Sequence, residues 1–200
     1  MPGIVGTMMQ VCGIRSDSNG WRSGDARSDS AELLFSPSSE VSSDCPMATE
    51  VTKELRDRLL NSAPADFGIT PDGSVWGILM EMAYPQGTAT LIALANGSAS
   101  IYFSSGGGVI GGTPHENINA ATKHFVRLAR DFVPEMPSTT KFPLPSVGCS
   151  MFYVLTTAGV VSFEAAEKEL SEGNHRFSPL FFAGHEVITG LRLISERPTS

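Results

Sequence analysis

Cysteine, basic charge and long apolar runs are all scarce in this 200-residue chain, and each shortage closes off a class of function. The three cysteines, Cys12, Cys45 and Cys149, are scattered, with no C-x-x-C pair and no histidine at ligand spacing. That pattern is neither a disulfide framework nor a zinc site, and it points to a reducing, cytoplasmic setting. No metal or cofactor is expected. Cys149 opens a predicted strand, where a thiol reads as a small buried hydrophobe sooner than as a nucleophile.

Lys and Arg total 14 against 21 Asp and Glu, giving a net charge of −7 and a sequence pI of about 5.0. No stripe of basic residues exists to neutralise phosphates, so neither nucleic acid nor an anionic membrane surface is an expected partner. No stretch approaches the roughly 18 apolar residues of a membrane span. Residues 1–13 are mildly apolar, but Gly3, Gly6 and Gln10 interrupt them and no basic residue precedes them, which argues against a signal peptide. The Asn96-Gly97-Ser98 sequon carries weight only in a secreted protein.

What is present suffices for a core: 41% of residues are hydrophobic and 18% charged. A domain of roughly 150 residues buries about 68–70% of its unfolded surface and needs no covalent staples. The segment 16–46 is different in kind. Ser, Asp and Gly dominate it, and only the AELLF patch could pack, so residues 1–46 are expected to be a disordered tail. A change of composition at Met47 leaves two origins open, a mis-assigned start or a Ser-rich regulatory segment. Within residues 1–47, three arginines meet six acidic residues, which leaves the domain at 47–200 only mildly acidic.

Periodicity organises that domain. Val51, Leu55 and Leu59 recur at helical spacing over 49–62, with Lys53, Glu54, Arg56 and Asp57 on the polar side. Val75–Tyr84, Thr88–Ala95 and Ser98–Ser104 read as strands joined by short turns, hence an antiparallel meander. Asn96-Gly97 predicts a two-residue type I′ turn. Thr113-Pro114-His115-Glu116 reads as a capping box that opens a helix carrying Ile118, Ala121, Phe125, Leu128, Ala129 and Phe132 on one face. Two further strands, Cys149–Thr156 and Val160–Phe163, precede an acidic stretch at 164–172, read as exposed helix. A last helix starts at Ser178-Pro179. The expected fold is therefore α+β, with element order α-β-β-β-α-β-β-α and a five-stranded antiparallel sheet backed by helices. That order resembles the profilin-like group, and the longin domain in particular. The resemblance implies an architecture and carries no functional residue.

The glycine-rich stretch between the third strand and the long helix is the main chemical candidate. Gly106-x-Gly108-x-x-Gly111 spells a dinucleotide fingerprint, but it follows a meander strand, and the next strand ends without a ribose-binding acid. A loop that needs positive φ, or that lies close against another backbone, is the leading reading, and a partner-binding loop is a further one. The alternative is a cradle for a small anion, built from Ser104, Ser105, Gly106, Gly107, Gly108, Gly111, Gly112 and Thr113 at the helix N-terminus, with His115 beside it. Asp66-Phe67-Gly68 spells a kinase motif with none of its companions. His185 reads as a partly buried, hydrogen-bonded histidine. Phe177, Phe181 and Phe182 exceed what one helical face can bury and form a candidate interaction surface, so one of the adjacent pair either faces a partner or is covered by the acidic stretch at 164–172.

Two functions follow. The favoured one is an interaction or regulatory module that self-associates, with no catalytic set. The other is a small-anion binder or enzyme at the glycine stretch.

Overall fold

The computed structural model describes residues 46–70, 73–111 and 115–196, leaving aside the side chains of 46–51. The expected tail lies outside these residues, apart from its last position.

The first helix, α1 (Pro46–Leu60), leads through a short 3-10 turn into β1 (Val75–Tyr84), β2 (Gly87–Leu94) and β3 (Ala99–Phe103). The chain then adds β4 (Gly108–Gly111), α2 (Glu116–Phe132), β5 (Ser138–Thr139), β6 (Cys149–Thr156), β7 (Gly159–Ala166), α3 (Glu167–Ser171) and α4 (Ser178–Ser195). The sheet has seven strands, not five, in the order β4-β3-β2-β1-β6-β7-β5, and every neighbouring pair is antiparallel. The two extra strands are short edges. β4 comes from the glycine stretch, read from sequence as a loop, and β5 from the crossover between α2 and β6. Gly108-Val109-Ile110-Gly111 and Ser138-Thr139 are too brief, and carry no apolar alternation, to register as a strand pattern. Without them and the short α3, the element order is the expected one.

The hairpin turns depart from expectation in a consistent way. No residue other than glycine has positive φ among those described, so Asn96-Gly97 cannot be a type I′ turn. Instead the Leu94 amide donates to Ser98 O and the Gly97 amide to Leu94 O, a three-residue loop in which Gly97 alone takes φ 89°. Asp66 also has a local role: its carboxylate accepts from the Ala63 amide at 2.8 Å, and Gly68 closes the 3-10 turn at φ 62°.

Cross-strand register divides the side chains into two faces. Met80, Leu91, Phe152 and Val154 point toward α2 and α4, which run antiparallel and side by side, Ile118 against Gly190 and Phe125 against Gly184. Gly184 lets them approach, since a Cβ there would stand 2.7 Å from the Met80 methyl. Thr122 and Val126 are buried where Leu128 was expected. The threonine hydroxyl donates to Ile118 O at 2.7 Å and so enters the core satisfied.

The opposite face carries Trp76, Leu79, Ile92, Met151, Tyr153 and Leu155, covered by Leu59 and Leu60 of α1. Here the polar side of α1 was misassigned. Arg56 is buried and Leu55 is exposed. Arg56 reaches Glu81, which is wholly buried on the central strand β1.

Candidate functional site

The β3–β4 hairpin is built from backbone rules alone. Gly106 donates its amide to Phe103 O at 2.9 Å, and Phe103 donates to Gly107 O at 3.2 Å. This repeats the geometry of the Leu94–Ser98 loop, with Gly106 at φ 103° and Gly107 at φ 83°. Ser104 ties the turn to β2: its amide donates to Thr88 O at 2.9 Å, and its hydroxyl accepts from the Thr88 amide at 2.8 Å. Gly108 is required for a different reason, because a Cβ would lie 2.5 Å from the Ile101 carbonyl oxygen. At Gly111 nothing stands within 4 Å of such an atom.

Since Phe103 and Gly107 form a hydrogen-bonded pair, antiparallel alternation makes Ile101–Val109 the next one. The amides and carbonyls of Gly108 and Ile110 therefore point away from β3, along the outer edge of the sheet. No described strand pairs with that edge. Ile110 lies on the α1 side of the sheet, beyond the reach of α1, and is 79% exposed. Val109, on the other side, is half-buried where α4 packs against β3 and β4.

From Met82 to Pro114 the chain contains no Asp, Glu, Lys, Arg or His. Natural edge strands are blunted by charge, proline or covering segments, and β4 has neither charge nor proline. That long uncharged run is the sequence signal for this edge.

The remaining sequence candidates distribute as follows. Ser104, Ser105, Gly106, Gly107, Gly108 and Gly111 fall in this hairpin; Gly112 and Thr113 lie outside the described residues. His115 is the N-cap of α2 in extended conformation, with no side-chain cap bond. Residues 108–111 are extended, so successive amides point to opposite sides and do not gather on one point. Phe177 and Phe181 are core residues, 0% and 2% exposed. Phe177 stacks on Phe163 of β7 at 4.1 Å between centroids and meets Phe132 of α2 at 5.0 Å. The expected aromatic surplus is absorbed by β7, a partner that the local helix pattern could not anticipate. Phe182 alone of the three stays exposed, at 42%.

Reactive groups elsewhere are held in check. Cys149 is a half-buried free thiol, and burial with the nearby Glu164 and Glu167 carboxylates raises its pKa, away from the thiolate that reacts. Tyr84 donates to Glu167 Oε1 at 3.4 Å; burial and the Glu167 charge raise the phenol, and burial raises Glu167 in turn. His185 was expected to be hydrogen-bonded. Its Nε2 is instead buried with no partner, its ring lies 4.3 Å from that of Phe181, and burial lowers it to about 4. No group of three His, Cys, Asp or Glu is placed to hold a metal among the described residues. No described helix is long and apolar enough to cross a membrane.

The chain matches no family model, no curated protein and no solved structure. Its chemistry is read from the geometry, and the most distinctive geometry is the uncharged, unpaired edge of β4.

Proposed function

We propose that this domain is a protein-interaction module that self-associates by strand addition at β4. One observation carries the reading: β4 ends the sheet, keeps two residues' backbone groups turned outward, and lies in a stretch without a single charged side chain. An open edge of this kind is a template for another strand. A small anion at Ser104–Gly111 draws no comparable support, because the Gly106 amide is already bonded to Phe103.

Light scattering of the full chain at micromolar concentration tests the proposal. The wild type is expected to run above monomer mass, and Ile110→Lys, which places a charge on the edge, is expected to run as monomer with unchanged circular dichroism. A monomeric wild type overturns the reading. So does a rise in melting temperature with inorganic phosphate that Ile110→Lys leaves intact while the mass stays monomeric.

A further inference from the structure

We infer that the strand added to β4 is β4 of a second copy, antiparallel about a two-fold axis through Val109, with each Ile110 lying across the partner's Gly108; this rests on the strand-addition reading. The outward groups of β4 belong to Gly108 and Ile110. An antiparallel partner must present its own outward groups at the same two-residue spacing. A second β4 does so when Gly108 of one copy faces Ile110 of the other, which makes both Gly108–Ile110 pairs hydrogen-bonded and places Val109 opposite itself.

Side chains select the same register. Gly108 and Ile110 share the face turned away from α4, as the cross-strand pairs Tyr102–Gly108 and Ser100–Ile110 require. Ile110, 79% exposed, would be covered by running across a residue without a side chain, and Gly108 has to be glycine because of the Ile101 carbonyl. Shifting the axis to Ile110 would leave only the Ile110–Ile110 pair within the partner's strand, which ends at Gly111, and so reduce two hydrogen-bonded pairs to one. The Val109 register yields the isologous contact expected of a two-fold dimer, in which each patch meets its own copy. It joins two seven-stranded sheets into one continuous sheet and removes the open edge from both.

Cysteine cross-linking in the full chain distinguishes the possibilities. Residues opposite each other in a non-hydrogen-bonded antiparallel pair sit about 4.5 Å apart at Cα, within the span of a disulfide. Diagonal neighbours sit about 7–8 Å apart and fall outside it. Val109→Cys is therefore expected to give a covalent dimer under mild oxidation, with peptide mass spectrometry mapping the bond to position 109 in both copies. Ile110→Cys is expected to give none at position 110. If the wild type associates but Ile110→Cys cross-links and Val109→Cys does not, the register is overturned while strand addition stands. If neither cross-links in an associating protein, association uses another surface and this inference fails. A wild type that stays monomeric removes both the inference and the reading beneath it.

Discussion

On one face of the sheet α2 and α4 lay Ile118, Phe125, Val187 and Leu191 over an apolar surface, whereas on the other α1 lays an arginine over a carboxylate. Arg56 Nε and Nη2 donate to the two oxygens of Glu81 at 2.6 and 2.8 Å, and Nη2 also donates to Pro143 O at 3.2 Å. Thr90 donates to Glu81 Oε1 at 3.2 Å, and Tyr153 donates to the same Pro143 carbonyl at 2.5 Å. Burial opposes the charge on Arg56, but the hydrogen bond and attraction of Glu81 prevail and hold the guanidinium above its ordinary value. The network links α1, β1, β2, β6 and the crossover loop. On the helix-pair side sits His185, whose buried Nε2 has no such compensation and which is kept neutral. One face thus gains its cohesion from packing. The other, packed through Leu59 and Leu60, adds a bidentate pair whose gain is offset in part by desolvation.

The largest effects should look alike on both faces while differing in origin. Phe125→Ala opens a cavity under the helix pair and is expected to cost about 3–5 kcal/mol in urea unfolding. Arg56→Ala is expected to cost a similar amount, about 3–5 kcal/mol, because Glu81 is left charged and buried.

Acid separates the faces next. The unfolded chain protonates its histidine near pH 6.5, while folded His185 takes a proton only near about 4. Stability from this group is full above pH 6.5, declines as pH falls toward 4 and levels off below, by up to about 3 kcal/mol. Glu167, raised by burial, acts in the opposite sense: its contribution is present at low pH and is lost as pH rises through its own titration. Comparing wild type with His185→Leu in urea melts at pH 7 and pH 4.5 isolates the histidine, and the variant should show the smaller loss. The least change is expected from Arg56→Met combined with Glu81→Leu. With an apolar pair of similar volume in place of both charges, the urea midpoint should stay at about the wild-type value. If the double variant is as unstable as Arg56→Ala, the ion pair contributes cohesion and the contrast between the faces dissolves.

These faces were unequally legible in the sequence. α2 repeats its apolar residues at helical spacing, so its inward side was readable in Ile118, Phe125 and Ala129, while Thr122 and Val126 take the buried place expected for Leu128. Arg56 was not readable. A helical wheel assigns an arginine between charged neighbours to solvent, and its partner lies 25 residues away in β1. The available clue was Glu81 itself, a single charge in a ten-residue apolar strand, which needs an opposite charge once that strand is central. The burial of Phe177 was hidden for the same kind of reason, since Phe163 reaches it from another element.

Element order, the two long helices and the antiparallel meander followed from local rules: periodicity, short turns, and glycine where φ is positive. These act between residues near in sequence and survive without knowledge of the rest. Tertiary structure alone decided which strands end the sheet, which charge is buried, and that Gly108–Gly111 is a strand. Each depends on what stands 5 Å away in space, and a strand as brief as β4 exists only because β3 offers it a ladder.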